Sequence, residues 1–279
     1  MSSASFSSAS FFISSQDLWN LIGTANAPVI LDVRRRDVYD AARGILPASM
    51  YWDPENFKKN SPDVDRARTI VVSCKAGQQL SQMMAADLRA RGCDARVHAG
   101  GFAAWTEAGL PVVMKSALDR FAPRRPSTWV TRRRPKIDRV ACPWLIHRFI
   151  DAGARFLFVD PDQVAAVAQE TGAIPFDIEG VELSHEGPRC SFDTMLKIFG
   201  LESEPMLARL ALIVRGADTA RPDLAPEAAG LHAVSLGLSA LAGDDDHGLL
   251  RRCFMVYDAL FAWLRHAAGE RHNWPAKAA

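Results

Sequence analysis

"IVVSCKAGQQLSQMMAADLRARG", Ile70 to Gly92, decides how the first half of this chain is read. An apolar run ends in a single cysteine, Cys74. A short loop with Gly77 follows, and the apolar spacing then turns helical through Leu80, Met83, Met84 and Leu88, with Gly92 as its stop. In sheets built from strand–loop–helix units, ligands collect at the carboxyl ends of the strands, and Cys74 stands at such an end. A thiol attacks as its thiolate, and the unpaired N–H groups and partial positive charge of a helix N-terminus favour that form. The loop Lys75, Ala76, Gly77, Gln78 and Gln79 offers backbone N–H groups to a sulfur or an oxyanion, and Gly77 permits the curvature this needs. The plain alternative is a small buried residue where a strand stops, because free cysteine is among the most buried residue types. Two other chemistries lack a required residue. A cysteine phosphatase needs a phosphate-clamping arginine where Leu80 stands, and a thioredoxin-like site needs a second cysteine where Gly77 stands.

Working outward, strand and helix signals alternate from Phe12 to about Val113. "APVILDVR" and "DARVHAGG" read as strands, while "SQDLWNLIG", with Ser15 as N-cap, "RRDVYDAARG" and "FAAWTEAG" read as helices. Such alternation predicts an α/β domain with a central, mainly parallel sheet flanked by helices. The serine-rich start, residues 1–11, reads as a loose tail ahead of a domain over 12–114. The texture then changes to "MKSALDRFAPRRPSTWVTRRRPK", and residues 115–135 read as a basic, Pro/Arg-rich linker. Residues 136–279 carry mostly helical patterns and a short strand, "ARFLFVD", which predicts a mostly α-helical second domain with a small strand component.

Composition excludes several classes. With 279 residues, 48% hydrophobic and 23% charged, the chain has material for two ordinary cores. A net charge of +1 creates no field that steers the protein to nucleic acid, and the basic tract has no recognition helix, so nucleic acid is not an expected partner. The five cysteines are odd in number and none stands in a CxxC pair, which argues against a disulfide framework or a zinc ribbon and for a reducing cytoplasm. The start has neither a basic region nor a long apolar one, so neither a secretory signal nor a membrane anchor is expected.

Three motifs in order, "VILDVRRRDVYDAARGILPAS", the cysteine stretch, and "VHAGGFAAWTEAGLPV", make Ser14 to Val113 resemble a rhodanese-type sulfurtransferase domain. The resemblance implies that Cys74 takes a sulfane sulfur from a small-molecule donor as a persulfide and yields it to an acceptor thiol. It also implies that the amides of Lys75 to Gln79 cradle the outer sulfur, and that no cofactor is required. Asp32 and Arg34 would pair structurally beside the site. The departure lies in the loop: many active relatives carry arginines there, and this chain has Lys75, Gln78 and Gln79.

"RPKIDRVACPWLIHRFIDAGARFLFV", "IPFDIEGVELSHEGPRCSFDTMLKIFGL", "LALIVRGADT" and "LAPEAAGLHAVSLGL" resemble the C-terminal domain of ChrB-type chromate-resistance proteins, from about Arg134 to Trp263. Whole ChrB proteins are associated with chromate-responsive regulation. The residues themselves allow two sites. His185, Glu186 and Cys190 share the loop "SHEGPRCSF", and imidazole, carboxylate and thiol are transition-metal ligands; His185, Cys190 and Asp218 form the expected divalent-metal set, with His232 as a further candidate. Alternatively Arg139, Arg189 and Arg215 bind chromate or another oxyanion through their planar forks. Asp138 is expected to cap the helix that carries Cys142. The leading expectation is a sulfurtransferase coupled to chromate resistance. The other is an oxyanion-responsive regulator whose first domain binds without turnover.

Overall fold

The computed structural model describes residues 10–57 and 67–270; residues 1–9 of the expected tail lie outside them. The first sheet is built from β1 (Phe12–Ile13), β2 (Val29–Asp32), β4 (Ser49–Tyr51), β5 (Ile70–Ser73) and β6 (Ala95–His98). Its order is β1-β6-β5-β2-β4, with every neighbour parallel. A short antiparallel pair, β3 (Gly44–Ile45) with β7 (Val113–Met114), closes one side. The helices are α1 (Ser15–Leu21), α2 (Arg36–Ala41), α3 (Gln79–Ala90) and α4 (Gly101–Glu107). Ser14 rather than Ser15 caps α1, its side chain accepting from the Asp17 N–H.

Both faces of this sheet are buried, and the two-residue strand period sorts them. Ile70 and Val72 pack with Leu31, Val33, Met84 and Leu88 on the α3 side. Val71 and Ile30 pack with Trp19, Leu18 and Trp105 on the other side. The same alternation carries Cys74 to the α3 side.

The stretch 115–135 is not a linker. It forms α5 (Lys115–Phe121) and then β8 (Thr128–Arg132), the central strand of a second, parallel sheet of order β10-β8-β9. Its partners are β9 (Arg155–Val159) and β10 (Ile174–Pro175). Trp129 and Val130 are fully buried there, and that outweighs the basic flanks that suggested a solvated tract. The helices of this half are α6 (Asp138–Leu145), α7 (Val164–Thr171), α8 (Ser191–Phe199), α9 (Pro205–Asp218), α10 (Ala228–Ala242) and α11 (Asp246–His266). Pro143 lies within α6, which widens into a π-helical turn over Ile146–Ile150. Proline removes one rung of the helical ladder, and a local change of winding follows it here.

The two halves share one core. Trp19 of α1 lies 6.2 Å from Phe149 between ring centroids, and a Cβ at Gly23, whose φ is +81°, would strike the rings of Phe149 and Phe261. Arg265 donates to the Ile22 carbonyl at 2.8 Å. Among the described residues no helix is long and apolar enough to cross a membrane.

Candidate functional site

Cys74 follows the last residue of β5 and is 6% exposed. Its loop is pinned from behind by the start of α4: the N–H of Phe102 donates to the Cys74 carbonyl and that of Ala103 to the Lys75 carbonyl, both at 2.9 Å. With those carbonyls turned toward α4, the loop amides are free to face the sulfur. The approach is too close for side chains. A Cβ at Gly101, where φ is +60°, would overlap the Cys74 carbonyl oxygen and lie 2.6 Å from the Gly77 nitrogen. Gly77 itself has φ +64° and a Cβ there would overlap the His98 carbonyl oxygen. Two glycines facing each other thus allow the loop to seat on α4.

Cys74 Sγ lies 3.2 Å from Ser81 Oγ. Burial pushes the thiol pKa up, but the Ser81 hydroxyl and the N–H groups of Ala76, Ser81 and Gln78 outweigh it and leave the pKa below the ordinary thiol value. Ser81 also donates to the Gln78 carbonyl at 3.1 Å, and Gln82 Nε2 to the Gly77 carbonyl at 3.1 Å, so the first turn of α3 ties down the loop. The side chains of Lys75, Gln78 and Gln79 are exposed.

Beneath the loop, His98 is fully buried between two hydroxyls: Ser73 Oγ lies 2.9 Å from Nδ1 and Ser15 Oγ 2.9 Å from Nε2. Burial lowers its pKa to about 4, so the ring is neutral at physiological pH. The unfolded chain takes up this proton near the ordinary histidine value and the folded chain only near 4. Stability from this group is therefore fully present above about pH 6.5 and is lost as pH falls toward 4, by about 3 kcal/mol in all. Urea titrations from about pH 7 to about pH 4.5 should show a stability slope for the natural protein steeper than for His98→Gln by up to about 1.4 kcal/mol per pH unit. Equal slopes would count against a neutral buried His98.

Asp32 and Arg34 meet in a buried ion pair, 0% and 1% exposed, with Arg34 Nη2 2.6 Å from Asp32 Oδ2 and Nε 2.9 Å from Oδ1. The guanidinium carbon lies 3.9 Å from the centroid of the Phe102 ring. Among the described residues Arg34 Nη1 finds no hydrogen-bond partner. Arg34, Lys75, Phe102 and Val38 line a cavity of about 460 Å³ beside the cysteine loop.

In the second half, sequence expectations are partly redistributed. Asp138 does not cap α6; it is the first helical residue, and its carboxylate accepts from the Ser191 N–H at 3.3 Å and contacts His185. His185 Nε2 lies 3.1 Å from Asp138 Oδ2, 3.3 Å from Asp218 Oδ2 and 3.5 Å from Asp177 Oδ1. Contact with Asp138 raises the His185 pKa to about 9, and burial together with Asp138 raises that of Asp218 to about 8. Asp177, absent from the sequence-based set, joins the group because its backbone sits at φ +53° just after β10. Cys190 does not. Its thiol is fully buried and donates to Asp193 at 3.3 Å, and burial drives its pKa far up. Glu186 pairs with Lys197 at 2.8 Å, and His232 is exposed on α10. Nor do the three arginines converge as an oxyanion clamp: Arg139 pairs with Asp177, Arg189 with Glu202 and Arg215 with Asp193.

Fold and site together define the class. Residues 14–108 match the family model of the rhodanese-like domain, and residues 129–264 match that of the ChrB C-terminal domain. The chain thus matches a rhodanese-like domain model and, after it, a ChrB C-terminal domain model. Protein ChrB of Cupriavidus metallidurans is 37% identical over 150 residues, an alignment that covers 50% of this chain and 43% of that protein. Two solved structures align with the chain. One is a rhodanese-related protein from Thermoplasma volcanium, at 24% identity over 37% of this chain and 98% of that one, with a TM-score of 0.33. The other is a rhodanese-like domain protein from Staphylococcus aureus, at 24% identity over 37% and 98%, with a TM-score of 0.32.

Proposed function

We propose that this protein is a sulfurtransferase that carries sulfane sulfur as a Cys74 persulfide in the service of chromate resistance. The observation that supports it best is the thiol's setting: a cysteine at a parallel strand's carboxyl end, its pKa lowered by Ser81 and by loop amides. The Cys74 thiolate attacks the outer sulfur of the donor. A sulfur–sulfur bond forms on Cys74 as the donor's own bond to that sulfur breaks and its electron pair leaves with the remainder, as sulfite when the donor is thiosulfate. The amides of Lys75 to Gln79 hold the terminal sulfur of the resulting persulfide anion. An acceptor nucleophile, a thiol or cyanide, then attacks that sulfur and returns the Cys74 thiolate. Asp32 and Arg34 fix the neighbouring strand end, and no cofactor enters the cycle.

The loop's charges bear on the donor. Lys75 and Arg34 are the cations lining the adjoining cavity, but Arg34 is paired with Asp32, Asp37 lines the same cavity, and Gln78 and Gln79 add no charge. A weakly charged donor such as a small organic persulfide should therefore be used at least about 10-fold better, by kcat/KM, than thiosulfate, a difference of about 1.4 kcal/mol. A thiocyanate-forming assay with both donors measures this. Turnover of neither donor would overturn the enzymatic reading in favour of a regulatory module that binds without turnover.

A further inference from the structure

The second domain gathers a different constellation, and the inference from it does not rest on Cys74 chemistry. Four segments meet: the start of α6 brings Asp138, the turn after β10 brings Asp177, the loop before α8 brings His185, and the end of α9 brings Asp218. One ligand-type atom from each of Asp138, Asp177 and His185 lies within 4.8 Å of the other two. Asp138 and Asp177 are 2% and 3% exposed, whereas the His185 side chain is 44% exposed and forms the solvent-facing lid.

We propose that Asp138, Asp177 and His185 bind one divalent first-row transition-metal ion, with Asp218 supporting them from beside it. Three features carry this. The first is spacing. Ligands about 2.1 Å from a common ion stand about 3.0 Å apart at octahedral edges and about 3.4 Å apart at tetrahedral ones. His185 Nε2 stands 3.1, 3.3 and 3.5 Å from the carboxylate oxygens of Asp138, Asp218 and Asp177.

The second is charge. Among the described residues Asp138 and Asp218 form ion pairs with His185 alone, so a buried carboxylate and a half-buried one share one imidazole. Buried charge needs a paired partner, and a divalent ion at the centre supplies it.

The third is orientation from behind. Arg132 and Arg139 both hold Asp177 by Oδ2, which leaves Oδ1 turned toward His185. Ser191 donates its hydroxyl to Asp177 Oδ1 at 2.7 Å and its N–H to Asp138 Oδ2 at 3.3 Å. Such outer partners are what aim metal ligands and fix their basicity. Two carboxylates with one imidazole suit manganese, iron or zinc in the divalent state, and the half-exposed lid leaves coordination positions open to a small oxygen-bearing ligand.

The test uses the full chain, stripped with chelator and titrated calorimetrically with Mn²⁺ and, separately, Zn²⁺. One saturable site per chain is expected for at least one ion. His185→Ala, at a half-exposed position that the fold tolerates, should weaken it about 10-fold or more. Asp138→Asn should do the same, while Cys190→Ser should bind as the natural protein does. Mn²⁺ paramagnetic resonance should show a protein-bound signal that His185→Ala loses. No saturable binding of either ion, binding unchanged in His185→Ala, or a loss in Cys190→Ser as large as in His185→Ala would each overturn the proposal.

Discussion

Cys74→Ser protein should lose donor-to-cyanide sulfur transfer by about 10³-fold or more, because the step that forms the covalent intermediate disappears with its nucleophile. Serine keeps the shape of the site. A hydroxyl at this position can still meet Ser81 Oγ, and the Phe102 and Ala103 N–H bonds to the loop are made to backbone carbonyls that the substitution leaves alone. What it loses is a sulfur whose pKa Ser81 and the loop amides hold below the ordinary thiol value, and which forms a bond to sulfur. The loss should therefore fall on turnover while the fold and its melting temperature stay as they were. The measurement is thiocyanate formation at saturating donor, beside a thermal melt of the same sample. Retained turnover in Cys74→Ser would place the chemistry elsewhere.

Arg34→Met is expected to cost about 3–5 kcal/mol of stability, since it leaves a carboxylate buried and unpaired. Asp32 is 0% exposed and accepts from Arg34 Nε, Nη2 and its backbone N–H. Removing the guanidinium strips most of those bonds at once and also removes the packing against Phe102. The double variant Asp32→Asn with Arg34→Met should recover part of the loss, because no buried charge remains. Urea denaturation at neutral pH reads both. A loss of less than about 1 kcal/mol in Arg34→Met would show that Asp32 finds another partner or water.

How much of this was legible in the sequence differs between the halves. The alternation of β5, α3 and β6 was plain because β5 opens on a continuous apolar run, α3 carries an apolar stripe, and β6 alternates Ala95 and Val97 with polar residues. Cys74 was legible because its position at a strand end is a local fact. Ser81 and His98 were not, since their value comes from the other residues they meet: Ser81 from the way α3 leads back to sulfur, and His98 from two hydroxyls brought by β5 and α1. β8 was misread as linker because its burial depends on β9 and β10, which follow it in the chain and bracket it. In the second half, His185 and Asp218 were picked out by residue type, but Cys190 was picked by the same logic and faces Asp193 within the core. Asp177 was passed over because nothing near it in sequence marks a residue whose backbone turns it toward His185.

Whether Cys74 carries sulfur is read most directly from the mass of the Cys74 peptide after the protein meets a sulfur donor without reductant. A gain equal to one sulfur atom is expected on that peptide, reversed by cyanide and absent from Cys74→Ser. An unmodified Cys74 peptide, or the added sulfur residing on Cys93 instead, would contradict it.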